Sequence, residues 1–316
     1  MRYSSLSSLL LLVLLAACQF DSGIVACDDG TTPGPRVPTT IRDLQTQLGA
    51  PRQTFTYQPG QTNTFTGAKG TIVTIPAGAF QKFGRPVTTP VQLTLREVYD
   101  RATMVLSNTP TVTTRGSVLE SAGEVYLRAD QDTSLRLAPG VVIRLQTPNP
   151  PNLASTDSMR LFVAPFIPPG CFGWTLYSDA FSDLTPIAGG NILTIGQALY
   201  NNGYGWFNCD RFYGAGASLP VVVQVRGAGI EPTNTAVFVV FRDFNGALAL
   251  CDYTQPDIFT ARFAPAGARV SVVVIRTIDG KIYYGRQDDT VQPNQSFSPP
   301  LLETTAAELL ADLQRI

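Results

Sequence analysis

The chain of 316 residues contains no histidine. Histidine is the usual general base near neutral pH and the commonest metal ligand. Its absence excludes Ser-His-Asp and Cys-His catalysis, His-ligated zinc and imidazole-based pH switching. Charge is also scarce: charged residues make up 15%, with 23 Lys+Arg against 24 Asp+Glu. No basic run or stripe is present, which argues against nucleic acid as a partner, since that binding draws on phosphate neutralisation. A glycine-rich phosphate loop and a Gly-x-Ser-x-Gly elbow are both missing, so nucleotide binding and serine hydrolysis have no motif to rest on. No cofactor is expected. Apolar residues, by contrast, reach 44%. That is enough for a real core, in a length that suits two ordinary domains or one large β-domain.

The N-terminal segment opens with Arg2, followed by an unbroken apolar run from Leu9 to Leu15 and then Ala16-Ala17-Cys18. The run is too short to cross a bilayer core, which takes about 20 helical residues, and it fits the h-region of a signal peptide over 1–17. Leu15-Ala16-Ala17-Cys18 resembles the lipobox of bacterial lipoproteins. The resemblance implies cleavage before Cys18, a diacylglycerol on its thiol and acylation of the new N-terminus; two or more chains anchor stably where one does not. Gln19 occupies the position where an aspartate favours inner-membrane retention, so the resemblance implies a lipid-anchored outer-membrane protein, on the periplasmic face or the cell surface. Residues 18–38, rich in Gly, Pro, Thr and Asp, read as a flexible tether.

The spacing predicts a short helix over 39–50, with Thr40 and Asp43 at capping-box positions, Ile41, Leu44 and Leu48 on one face and Gly49 as the stop. A second helix is expected over 304–316, with Thr305 and Glu308 as the better capping box and Leu309, Leu310 and Leu313 as its apolar side. Between them the pattern is β. Strands are expected at Thr71–Ile75, Val91–Val98, Glu124–Ala129 and Val141–Leu145; Val91, Leu93 and Leu95 alternate with polar residues as in a half-buried strand. Thr147-Pro148-Asn149-Pro150-Pro151-Asn152 reads as a domain boundary. Asn245-Gly246 and Asp279-Gly280 each sit between apolar runs and suit the positive φ angles of a type I′ hairpin turn. Asn245-Gly246 is read as a turn rather than a calcium loop, because the later ligands are missing. Val237–Phe241 is continuously apolar and should be covered on both faces. The expected fold is all-β: two β-sandwich-like domains, over 51–148 and 158–300, with a short helix at each end.

Thr71 to Phe80, followed by Pro90 to Glu97, resembles the ZU5 β-domain, with a strand ending in an Ile-Pro-x-x-Ala-like turn and then a strand of alternating apolar residues. Leu119–Leu127 and Gly205–Phe212 are similar to segments of uncharacterised envelope lipoproteins that carry such a domain. The resemblance covers about a third of the chain, implies a β-sandwich with an interaction role, and carries over no catalytic residue.

Four cysteines besides Cys18 remain, Cys27, Cys171, Cys209 and Cys251, and in an exported protein they are disulfide candidates. Four cysteines allow three complete pairings; Cys171–Cys209 is the pairing chosen here, with Cys27 and Cys251 free or paired. Their spacing matches no zinc motif, so no metal site is expected. The stretch Gly205–Phe212 is the densest in aromatics. As a strand it places Tyr204, Trp206, Asn208 and Asp210 on one face and Phe207, Cys209 and Arg211 on the other. A glycan-stacking platform of Trp206 with Trp174 and Tyr177 competes with the reading preferred here, a core tryptophan beside a surface Asp-Arg pair. Glu97, Asp100, Glu120 and Glu124 are the carboxylates available for glycoside hydrolysis, which needs two of them facing across a cleft; basic neighbours Arg96 and Arg101 suggest surface ion pairs instead. The expectation is therefore a non-enzymatic, lipid-anchored envelope module for binding, adhesion or structure, with an envelope protein or glycan as partner. The competing expectation is a carbohydrate-active protein, either a glycan-binding module or a glycosidase.

Overall fold

The computed structural model describes residues 37–151, 153–165, 171–214, 216–255 and 257–316. Helix α1 (Ile41–Leu48) comes first, then strands β1 (Gln53–Tyr57), β2 (Asn63–Thr66), β3 (Ile72–Ile75), β4 (Phe80–Lys82), β5 (Arg85–Pro86) and β6 (Val91–Val98). Helix α2 (Arg101–Ser107) leads to β7 (Leu119–Arg128), β8 (Arg136–Leu137), β9 (Val142–Pro148), β10 (Arg160–Pro165), β11 (Thr175–Leu176), β12 (Asp183–Ile187) and β13 (Gly190–Gly196). Helix α3 (Gln197–Asn201) precedes β14 (Tyr204–Phe212), β15 (Ser218–Gln224), β16 (Thr235–Phe241), β17 (Ala247–Ala249), β18 (Asp252–Gln255) and β19 (Ile258–Pro265). The order ends with β20 (Arg269–Ile278), β21 (Lys281–Thr290), β22 (Ser296–Phe297), β23 (Leu302–Thr304) and helix α4 (Ala306–Leu313). The fold is all-β, as expected.

Four sheets form two sandwiches. Sheet I runs β1-β6-β7-β14-β10-β11 and faces sheet II, β12-β13-β9-β3-β2. Val125, Leu127, Phe207 and Cys209 of sheet I meet Val73, Ile143, Leu145 and Leu193 of sheet II in one core. Sheet III, β17-β16-β20-β21-β23, faces sheet IV, β18-β19-β15-β22, across a second core that includes Val237, Val239, Val272, Val221 and Phe259. A third core joins the outer faces of sheets I and III. It combines Tyr126, Trp206 and Phe162 with Phe238, Val240 and Ile275, and adds Ile41 and Leu44 of α1, Val105 of α2, and Leu309 and Leu313 of α4. The central strands of sheets I and III, β7 and β14 in one and β16 and β20 in the other, are therefore buried on both faces. This explains the continuous apolar run of β16, and β7, in which all ten residues are buried.

The expected boundary at 147–152 does not divide the molecule. Strand β9 runs on through Thr147 and Pro148, pairing them with Asn191 and Gly190. Gly190 is required there, because a Cβ would lie 2.2 Å from the Thr147 carbonyl oxygen. Strands β10, β11 and β14 join sheet I, and β12 and β13 join sheet II, so the chain after 158 first completes the sandwich begun before 148. The division between sandwiches falls instead between β14 and β15. Local proline content marks where a strand ends but not which sheet the chain enters next.

Both terminal helices form. In α4 the Thr305 side chain accepts from Glu308 N and the Glu308 side chain accepts from Thr305 N, a complete capping box. In α1 only the first half is made, from Asp43 N to Thr40 Oγ1 at 3.0 Å, while Asp43 accepts from Thr39 Oγ1 at 2.8 Å. Gly49 ends α1 with extended rather than left-handed backbone. Its missing side chain makes room for the Leu106 carbonyl, which a Cβ would meet at 2.9 Å. Among the described residues no helix is long and apolar enough to cross a membrane. The signal peptide, Cys18, Cys27 and all but the last two residues of the tether lie outside the described residues.

Candidate functional site

Of the four carboxylates, Glu97 lies on β6, Glu120 and Glu124 on β7 and Asp100 at the cap of α2, and all but Glu124 are engaged by donors of the fold itself. Glu97 lies in the ladder opposite Val125, next to the Val98–Glu124 pair. Its carboxylate accepts from Gln53 Nε2 at 2.8 Å, Lys69 N at 2.9 Å and Thr71 N at 2.9 Å. Burial alone would raise its pKa, but these hydrogen bonds outweigh burial and hold it below the ordinary 4.5. Asp100 caps α2 by accepting from Thr103 N at 2.8 Å and pairs with Lys69 at 2.7 Å. Glu120 accepts from Arg211 Nε at 2.6 Å and from Ala154 N at 2.6 Å. Neither Arg96 nor Arg101 makes the ion pair expected of it. Arg96 donates to the Ala50 carbonyl at 2.9 Å and lies over the Trp206 ring; Arg101 donates to the Phe241 carbonyl at 2.7 Å.

Glu124 is different. It is fully buried with neither carboxyl oxygen hydrogen-bonded. Burial pushes its pKa well above 4.5, and the charges of Asp210 and Asp100 push the same way, against a smaller opposing influence of the Thr109 hydroxyl. Asp210, on β14, is fully buried and also raised, first by burial and then by the charge of Glu120. One of its oxygens accepts from Asn208 Nδ2 at 2.7 Å, and Asn208 accepts from Ser121 Oγ at 2.9 Å. The tip of the β16–β17 hairpin seals this seam. Asn245 Nδ2 donates to the carbonyls of Ser121 at 2.8 Å and Tyr99 at 3.2 Å, and Ser121 N donates to the Asn245 carbonyl at 2.9 Å. Gly123, at φ +135°, leaves room for the Tyr99 ring, which a Cβ would meet at 2.2 Å. Burial disfavours the charged form of both carboxyls in this seam.

The tryptophans are core residues. Trp174 is 0% and Trp206 4% exposed, and Phe172 packs edge-on against both. Trp174 Nε1 donates to the Pro110 carbonyl at 3.0 Å. Neither indole can stack on a sugar. Tyr177 is half-buried, packs on Tyr204 and donates to Asp179 at 2.8 Å. The alternation read along β14 holds for Trp206, Asn208 and Asp210. A register shift opposite Ala164 and Pro165 takes Tyr204 out of that set. The surface Asp-Arg pair does not form, because Asp210 is interior and Arg211 reaches Glu120.

The pairing of Cys171 with Cys209 is overturned. Cys209 is fully buried between sheets I and II, and burial raises its thiol well above the ordinary 9.0. Cys171 is exposed, as is Cys251, and both line the same surface groove.

The surface feature that sequence reasoning missed is the turn between Val112 and Val118. These two residues bridge antiparallel, Thr113 N donates to the Ser117 carbonyl at 2.9 Å, and Gly116 turns the chain at φ +89°. Exposed Arg115 stands at the tip. On one side lies a groove of about 430 Å³ bordered by Leu176 and Phe212. On the other lies one of about 520 Å³ bordered by Phe263, Cys171 and Cys251. Leu176 is 42%, Phe212 45% and Phe263 47% exposed. The sequence signal was available in Thr114-Arg115-Gly116-Ser117, a turn tetrapeptide, but the three apolar residues come together only through the fold. Among the described residues no group of three or more acidic or cysteine side chains is arranged to hold a metal. No family model matches the chain, and no curated protein matches it.

Proposed function

We propose that this is a non-enzymatic envelope protein, anchored to the outer membrane by lipid on Cys18, whose β-body presents a binding face for another envelope protein. The carrying observation is the grouping of Leu176, Phe212 and Phe263, all exposed, on the two sides of a turn tipped by Arg115. Large apolar groups beside a basic tip match the composition of protein contact surfaces, in which aromatics and arginine are enriched. The spent or sealed state of Glu97, Asp100, Glu120 and Glu124 supports a binding role over hydrolysis, and the burial of both tryptophans supports a protein partner over a glycan. The ZU5-like segments fit the same reading.

A photo-crosslinking residue placed at Phe212 in intact cells should capture one specific envelope protein. The same residue at Phe83, which is 85% exposed and lies outside both grooves, should not. Equal capture at both positions counts against the binding face. The anchor has its own test: Cys18→Ala should move the protein from the membrane to the soluble fraction, and a variant that stays with the membrane removes the lipid reading.

A further inference from the structure

We propose that Cys171 and Cys251 form a disulfide that closes the ridge between two surface grooves and ties the first sandwich to the second. The two residues are about 80 positions apart in sequence, yet the fold brings them together. Both line the groove of about 520 Å³ beside the Val112–Val118 turn and the neighbouring groove of about 640 Å³ that reaches Ile41 and Phe238. Their side chains lie near enough to interact electrostatically.

The approach is held by backbone on both sides. Trp174 N donates to the Val112 carbonyl at 2.8 Å and Thr114 N to the Trp174 carbonyl at 3.0 Å, which fixes the chain just after Cys171. Leu250 N donates to the Val237 carbonyl at 2.9 Å, which fixes the residue just before Cys251. Trp174 belongs to the core shared with sheet I and Leu250 to the core between sheets III and IV, so the bond would link segments that pack in different cores. Cys209 provides an internal contrast, a thiol sealed in a third place.

Oxidation needs an acceptor, and the acceptor class is a disulfide carrier, either a protein dithiol oxidase in its oxidised form or oxidised glutathione. The attacking form is a thiolate, and the product is the same whichever of the two thiols leads. The Cys171 thiolate attacks one carrier sulfur and releases the other as a thiolate, giving a mixed disulfide. Cys251 then gives up its proton and attacks the Cys171 sulfur, releasing the second carrier thiol. Two protein thiols and one carrier disulfide become one protein disulfide and two carrier thiols. An oxidising compartment follows from the export proposed above; the juxtaposition of the thiols does not depend on it.

The test uses the full chain carrying Cys18→Ser, refolded in a glutathione buffer poised near roughly −200 mV, with free thiols alkylated and the protein then digested without reduction. A peptide pair joining Cys171 to Cys251 is expected, with Cys209 alkylated only after denaturation. Reduction should lower Tm by about 5–10 °C in this chain and by nothing measurable in Cys171→Ser or Cys251→Ser. Alkylation of both thiols in the folded, oxidised protein overturns the proposal, as does a bond from either to Cys27. Because this refolding involves no export, a negative result counts against the disulfide and leaves the anchor to its own test.

Discussion

Glu97 and Glu124 occupy adjacent rungs of the β6–β7 ladder and are both buried, yet they are opposite kinds of residue. Glu97 meets two backbone amides and a glutamine amide, and stays ionised. Glu124 has neither carboxyl oxygen hydrogen-bonded, and burial pushes its pKa well above 4.5. Burial is common to both, so burial alone does not decide charge. The difference lies in the chain that returns to each carboxylate: Lys69 to Thr71 wraps Glu97 in donors, whereas Glu124 is sealed beside the carboxyl of Asp210 with no donor turned to it.

The largest expected effect is on the satisfied side. Glu97→Ala strands three donors, the buried Thr71 amide and the partly buried Gln53 and Lys69 groups, and should cost about 3 kcal/mol in urea unfolding. A loss under about 1 kcal/mol would mean that water replaces the carboxylate, and the contrast would fail. Next is the sign of the pH dependence. The stabilisation from Glu97 is fully present above its unfolded value near 4.5 and is lost as pH falls through its lower folded value. Glu124 runs the other way: its contribution is fully present below about 4.5 and is lost as pH rises toward its raised folded value. Glu124→Gln should therefore raise stability by about 1–2 kcal/mol at pH 8 and change little at pH 4, as read from urea midpoints at the two pH values. Destabilisation at pH 8 would show that Glu124 is charged and partnered. The smallest effect is expected from Asp210→Asn, a gain of about 1 kcal/mol or less at pH 8, because the hydrogen bond from Asn208 can be kept. A gain as large as that of Glu124→Gln would show that the Asn208 bond does nothing to offset the burial of this carboxyl.

The two hairpins show how far sequence alone could reach. At Asp279-Gly280 both residues take positive φ, 49° and 72°, and β20 pairs with β21 up to Ile278 and Lys281, the two-residue turn expected from the dipeptide. Asn245-Gly246 also lies between paired strands, but neither residue takes positive φ among those that do. The connection is the longer loop between β16 and β17. Its tip is buried against β7, where Gly246 has room for no side chain: a Cβ would lie 2.7 Å from Thr111 Oγ1. The dipeptide carried the turn; the packing against residues more than a hundred positions away carried its shape. Strand periodicity behaved similarly. It gave β6 its observed bounds and the two-sided cover of β16, because both are properties of one strand. It could not show that β10 and β14 cross back into the first sandwich, nor that the polar residues of β7 face inward. Helix α2 carries its own sequence signals, Asp100 as its cap and Asn108 as its left-handed stop. The Cys171–Cys251 contact and the grouping of Leu176, Phe212 and Phe263 depend wholly on tertiary structure.

The third core joins α1 from the start of the body to α4 from its end, with the outer faces of sheets I and III between them. A chain delivered residue by residue, through a ribosome or an export channel, makes Trp206 and Phe162 long before it makes Leu309 and Leu313. Through that interval the third core lacks the side chains that sheet III and α4 add to it. The first sandwich can close around its own core early, but this shared core stays incomplete until the later strands and α4 arrive. The order of synthesis thus leaves this protein a long window of exposure, during which a holding chaperone would find its surface.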